Sequence, residues 1–253
     1  PSEHFDVALY TGDSSVQSIT SLGFQPSFTW IKERSDTAPN QLFDAVRGVT
    51  KNIASNANSA ETTNDDTLTH FLSNGFTTGD DNRTNSNGET YVAWNWKANG
   101  SGSSNTNGSI TSTVSANVDA GFSIVSYTGT SAANATIGHG LSQVPEMIIV
   151  KPRSASGQWA VYTETLGNAK KLELQETSAE GGSSLWNSTS PTSTVFTVKN
   201  TSTGDVLDDG KTHIAYCFHS VDGYSKVGSY TGNGNADGTF IYLGFRPKYF
   251  MIK

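Results

Sequence analysis

Along the chain, apolar residues alternate with polar or small ones over short runs that stop at turn-forming clusters. Phe5, Val7 and Leu9 alternate with their neighbours, and Phe122 and Ile124 open a second run less cleanly. A period of two puts successive side chains on opposite faces of an extended chain, so each run predicts a half-buried strand. Residues 28–32 and 147–151 are more continuously apolar and each ends in a lysine, which predicts inner strands running out to solvent. Asn87-Gly88 and Asp209-Gly210 tolerate positive φ and predict hairpin turns. Residues 91–96 and 214–218 would then be the returning strands. Sustained helical periodicity with caps is missing, and one short helical turn is expected at residues 67–72. About six or seven short strands per hundred residues predict a two-sheet sandwich.

The same blocks recur. Phe5-Asp6-Val7-Ala8-Leu9-Tyr10-Thr11-Gly12 matches Phe122-Ser123-Ile124-Val125-Ser126-Tyr127-Thr128-Gly129 and the segment from Tyr224 to Tyr230-Thr231-Gly232. A second block follows each opening: Gly23-Phe24-Gln25-Pro26 into Phe28 to Lys32, Gly140-Leu141 and Val144-Pro145 into Met147 to Lys151, and Gly244-Phe245-Arg246-Pro247 into Tyr249 to Lys253. A third block, Asn87-Gly88-Glu89-Thr90-Tyr91-Val92-Ala93-Trp94, matches Asp209-Gly210-Lys211-Thr212-His213-Ile214-Ala215-Tyr216 and has no copy after residue 224. The tyrosines at 10, 127 and 230 are 117 and 103 residues apart, too far for solenoid rungs, so each copy is expected to be a domain. The expected organisation is an all-β chain of tandem β-sandwich units of jelly-roll or lectin-like type. Residues 1–99 form the first, 100–121 a Gly/Ser/Asn linker plus a short strand, 122–223 the second, and 224–253 the truncated start of a third. Asn99 to Asn107 reads as a flexible tether by composition, with a strand around Ile110, Thr111 and Val114. No such tether precedes Tyr224, so the second and third units are expected to abut more rigidly.

Composition narrows the function. The 253 residues include 12 Phe, 9 Tyr and 5 Trp, which is more bulky apolar surface than a disordered chain carries. A net charge of −7 with no basic run argues against nucleic-acid binding, the densest pair being Lys170-Lys171. Cys217 is the single cysteine and sits in an apolar run, so it reads as a small buried hydrophobe in a chain folded without disulfide staples. The start at Pro1 lacks a basic, then apolar, leader pattern, and nothing approaches 18 consecutive apolar residues, so membrane insertion is not expected.

At these blocks the sequence resembles the repeat domain of structural and fibre proteins of marine tailed bacteriophages, including those of cyanobacteria. The three Tyr-Thr-Gly openings, Gly244-Phe245-Arg246-Pro247 with Met251-Ile252-Lys253, Val144 to Lys151, Tyr91-Val92-Ala93-Trp94, and Ser188 to Ser193 before Val195-Phe196 carry the resemblance. It implies a virion structural protein made in the host cytoplasm and displayed on a tail or capsid appendage. Its implied partners are other virion proteins, a host-surface glycan or receptor, and further copies of itself. It implies no catalytic residue and no cofactor. A bacterial surface adhesin built of tandem sandwiches and a glycan-degrading tailspike enzyme are the alternatives.

A search for chemistry returns few candidates. Neither His4, His70, His139, His213 nor His219 lies in a hydrolase or metalloprotease motif, and no role for His213 is repeated, since it aligns with Tyr91. The acidic pairs Asp65-Asp66, Asp80-Asp81 and Asp208-Asp209 read first as turns. Asp205, Asp208 and Asp209 form the best Ca²⁺ candidate, although they do not match the spaced EF-hand pattern. For sugar contact the candidates are Trp186, Trp159 and Tyr162, since aromatic faces beside polar groups hold sugar rings. Trp159 aligns with Phe43 as a repeated core position, and Trp186, lacking a counterpart, is the better exposed candidate.

Overall fold

The alternating runs become strands. In the computed structural model, which describes residues 3–201 and 205–253, the first half supplies β1 (Phe5–Thr11), β2 (Gln17–Ile19), β3 (Phe28–Glu33), β4 (Gln41–Asp44), β5 (Lys51–Ala54), β6 (Thr62–Thr63), β7 (Leu68–Leu72), β8 (Gly75–Thr78) and β9 (Thr90–Trp96). The second supplies β10 (Ser103–Asn105), β11 (Ser112–Asn117), β12 (Phe122–Thr128), β13 (Asn134–Gly138), β14 (Met147–Pro152), β15 (Ala160–Thr163), β16 (Lys170–Glu173), β17 (Gly181–Gly182), β18 (Val195–Lys199) and β19 (Thr212–Phe218). Among the described residues the sole helix is the single turn α1 (Asn82–Asn85), capped by the Asp81 carboxylate accepting from the Arg83 amide. The chain is thus nearly all-β, in antiparallel sheets compatible with a sandwich. Pro1, Ser2 and residues 202–204 lie outside the described residues, and with them part of the expectation about the chain's start.

The long sheets share one plan. The six-stranded sheet runs β1-β9-β3-β4-β5-β6, and the eight-stranded sheet contains β12-β19-β14-β15-β16-β17 in the same succession. In each, the returning strand is central and the opening strand never touches the second block. Registers agree as well: Tyr10 stands opposite Tyr91 as Tyr127 does opposite His213, and Trp30 opposite Trp94 as Ile149 does opposite Tyr216. Thr29 pairs with Phe43 and Ile148 with Tyr162, so the counterpart of Phe43 is Tyr162. The expected alignment of Trp159 with Phe43 is therefore off by three residues.

Hydrophobic burial stacks these sheets in layers. The three-stranded sheet β2-β8-β7 covers one face of the six-stranded sheet through Ile19, Leu68 and Phe76 against Ala8, Ile31, Phe43, Tyr91 and Ala93. On the far side, the β13-β18 pair covers the eight-stranded sheet through Ala135, Ile137, Phe196 and Val198. Between them the two long sheets face each other. Phe28, Leu42, Ile53 and Trp96 share one cluster with Phe122, Ile124, Ile149, Trp159, Val161, Ile214 and Tyr216.

Three expectations are corrected. The supposed flexible tether contains β10, which pairs with β11 and extends the eight-stranded sheet past β12. Its small side chains are what admit this, because a Cβ on Gly102 would stand 2.6 Å from the Val114 carbonyl oxygen. Residues 67–72 form a strand, not a helical turn, since β7 pairs with β8 and Leu68 reaches the core. Asn87-Gly88 and Asp209-Gly210 are turns with positive φ at Gly88 and Gly210, but they lead from the covering layer into the long sheet and do not join paired neighbours.

Residues 224–253 contain no strand, although they repeat the opening and second blocks. The sheet order supplies the reason. In both complete copies these blocks bond to the returning strand and not to each other, and residues 224–253 lack that strand. Within this segment Tyr249 packs on Trp94 and Trp96 of the first half.

Candidate functional site on the shared aromatic face

Alternation along β1, β3 and β9 sends Tyr91 and Ala93 to one face of the six-stranded sheet and Trp94 and Trp96 to the other. On that second face, Phe5–Trp96–Phe28 and Val7–Trp94–Trp30 form two cross-strand rows. The eight-stranded sheet seals the Phe28 and Trp96 end. Trp30 and Trp94 stay half-buried, and Leu9 beyond them is 64% exposed.

Tyr249 sits over this opening. Its ring lies 5.3 Å from Trp96, 5.4 Å from Trp94, 6.2 Å from Phe5 and 6.5 Å from Trp30, and the Trp94 and Trp96 contacts are edge-to-face. Each such pair adds about 0.5–1.5 kcal/mol beyond burial alone. Burial also pushes the Tyr249 phenol up. At the rim Lys248 pairs with Asp6 at 2.7 Å, and Trp30 Nε1 donates to Asn40 Oδ1 at 3.3 Å. Flat apolar faces rimmed by polar groups suit recognition of an aromatic side chain or a sugar ring.

Deeper between the long sheets lies a polar seam. The Arg47 guanidinium is fully buried, bonds Asp44, donates to the carbonyls of Leu42 at 2.8 Å and Lys51 at 3.0 Å, and reaches Glu61 at 3.2 Å. Glu61 also receives Arg153 of the second half at 2.9 and 3.0 Å, and Tyr216 donates to Asp44 at 2.8 Å. Burial alone would push the Glu61 carboxyl up, but Arg153 and Arg47 outweigh it and hold the group below the usual carboxylate range. Lys151 is fully buried nearby. It donates to the Pro152 carbonyl at 2.8 Å, and burial lowers it to about 8. Every donor in this seam has an acceptor, which marks it as a fastening between sheets.

The residues singled out for ligand contact are not at the surface. Trp159 is fully buried, and its Nε1 donates to the carbonyls of Ala54 at 3.0 Å and Ala57 at 3.1 Å, tying the second half to the first. Trp186 and Tyr162 pack edge-to-face at 5.7 Å inside the outer core of the second half, with Trp186 Nε1 donating to the Lys170 carbonyl. None presents a face to a sugar. Their neighbouring polar residues belong to turns, while the rings close layers that the linear sequence does not display.

The calcium trio does not assemble into a metal site. Asp205 is buried, accepts from the Gln158 amide at 3.1 Å and has Lys171 at 3.7 Å, whereas Asp209 is exposed. Among the described residues no three His, Cys, Asp or Glu side chains stand where they could hold a metal ion. Asp81 caps α1 and Asp65, Asp66 and Asp80 lie in exposed turns. His213 does have a repeated place: it stacks on Tyr127 at 5.0 Å as Tyr91 stacks on Tyr10 at 5.0 Å. Cys217 is sealed in the core, where burial pushes its thiol up to about 12.

Trp30, Trp94 and Tyr249 were not picked out from the sequence. The usable signal was the tryptophan at every second position of β9, Trp94 and Trp96, opposite Trp30. The Arg47–Glu61–Arg153 seam has no signal in local spacing.

No curated protein and no solved structure matches the chain. A family model described as a domain of unknown function (DUF7483) matches residues 1–253, spanning both long sheets and the segment that follows them. The chain belongs to the DUF7483 family.

Proposed function

We propose that this chain is a structural module of a tailed-bacteriophage virion, a fibre, appendage or capsid-surface component with a host-contact role. In this reading residues 1–99 and 122–223 are tandem β-sandwich repeats of jelly-roll or lectin-like type bridged by 100–121, and 224–253 begin another. The observation that carries it is the repeated strand order of the two long sheets, fastened face to face by Trp159 and the Arg47–Glu61–Arg153 seam. A module that locks its halves together transmits load and holds its surface in a fixed direction, as an appendage requires. The chain works by binding and bracing, with no chemistry of its own and no cofactor. Its partners are other virion proteins and a host-surface glycan or receptor, and repetition multiplies weak contacts into avidity.

Immunogold labelling of purified phage particles with an antibody against residues 1–253 tests this. Gold on a tail or capsid appendage is the expected result. Unlabelled particles beside labelled host cells would instead make the chain a bacterial surface adhesin.

A further inference from the structure

The two halves hold an equivalent backbone amide in different ways. Leu22 and Leu141 stand four residues before the shared proline of the second block, Pro26 and Pro145, and both are buried. In the first half the Leu22 amide donates to the backbone carbonyl of Asn74, just ahead of β8, at 3.0 Å. In the second half an imidazole takes that place. The Leu141 amide donates to His139 Nδ1 at 3.3 Å, and His139 Nε2 donates at 3.1 Å to the Thr192 carbonyl, in the turn ahead of β18. The His139 amide adds a bond to the Thr194 carbonyl at 3.2 Å. A carbonyl can only accept and an amide N–H can only donate, so the two ring contacts fix a neutral imidazole with its proton on Nε2.

His139 is fully buried, and its surroundings favour that neutral form. β11 brings Ser112 and Val114 to the glycines on either side of it, Gly138 and Gly140. His219, at the end of β19, is the titratable group whose charge reaches the ring. It donates through Nδ1 to the Ser220 carbonyl at 2.8 Å, and Glu146 accepts from the Ser220 amide at 3.1 Å. Burial, with His219 adding to it, holds the His139 imidazole below the usual histidine range against the pull of the Thr192 carbonyl.

We propose that His139 is an acid-release latch for the β13–β18 covering layer. A proton on Nδ1 sets an N–H against the Leu141 N–H, in a buried site that faces a second imidazole. The ring must then leave, and the turn that starts β18 loses its hold on β13. Ile137, Phe196 and Val198 lift from Val125, Ile148 and Val150 of the eight-stranded sheet. The folded chain favours the neutral ring, so the latch is complete above the ordinary value of 6.5 and is lost as pH falls below it through the lowered one. The β2–β8 layer, held at this place by the Asn74 carbonyl, has nothing there to titrate. In the same window the seam stays closed, because Glu61 has an ordinary value of 4.5 and is held lower still. The latch stands on these contacts and not on the virion reading.

Amide hydrogen exchange of the whole chain at about pH 7.5 and about pH 5, each corrected for the intrinsic rate, tests this. Protection over residues 134–141 and 195–199 should fall about fivefold or more beyond any fall over 17–22 and 75–78. An equal change in both layers would overturn the latch. His139→Gln carries no titrating group and should bring the two layers into step at both pH values; a difference that persists in the variant also overturns it. Should that variant fail to fold, the ring nitrogen shifts of the unaltered chain decide. A neutral ring protonated on Nε2 at neutral pH, gaining its second proton as the layer loses protection, supports the latch. A ring protonated on Nδ1 instead, or one that titrates with no loss of protection, refutes it.

Discussion

Single residues here are governed by what lies directly against them. In the two complete copies the Tyr-Thr-Gly signature ends in glycine because the turn ahead of the returning strand leaves no room for a side chain. A Cβ on Gly12 would stand 2.1 Å from the Ser86 carbonyl oxygen, and one on Gly129 2.0 Å from that of Asp208. Both glycine amides bond the start of the returning strand, to Glu89 and Lys211 at 2.8 Å. Gly129→Ala should therefore lower stability by about 1–3 kcal/mol, read as the shift in the urea midpoint. Lys151 makes a different prediction. Its ordinary value of 10.5 falls to about 8 on burial, so between those values the unfolded chain holds more protons and stability rises with pH. From pH 7 to roughly 9.5 the gain is ~2 kcal/mol. Lys151→Met removes that rise while Asp205 keeps Lys171 beside it. Urea unfolding at the two pH values checks this, and an unchanged slope in the variant would refute it.

At the scale of elements the seam between the long sheets is sensitive to acid. Glu61 is held below its ordinary value, so its contribution is complete above that value and disappears as pH falls through the lowered one. Glu61→Gln leaves Arg47 and Arg153 without their shared anion and should cost about 1–3 kcal/mol at neutral pH. It should also flatten the loss of stability on acidification. Unfolding curves from neutral to acid pH for both chains provide the comparison.

For the whole molecule, the shared core between the two long sheets decides how the chain unfolds. Trp159 and Tyr216 of one half bury against Ile53 and Phe28 of the other, so neither half keeps its inner face dry alone. A single calorimetric transition is expected, with equal calorimetric and van't Hoff enthalpies. Two resolved transitions would mean that each sheet pair holds together without its neighbour.

The sequence by itself determined most of the strands and their recurrence, because period-two alternation is a local consequence of backbone geometry. The recurrence of Gly12 at Gly129, and Tyr91–Trp96 as a returning strand, could be read off directly. Which face of a strand is covered, and by what, is a property of sheets stacked at a distance, and only the tertiary structure decided it. Trp186 looked exposed because its sequence neighbours are polar, yet Tyr162 and the β13–β18 layer enclose it. Residues 103–105 looked like a tether because they are small, yet small side chains are what let β10 lie against β11. Arg47, Glu61 and Arg153 carry no signal in local spacing, and meet because two sheets far apart in sequence press their inner faces together and bring the two guanidinium groups onto one carboxylate.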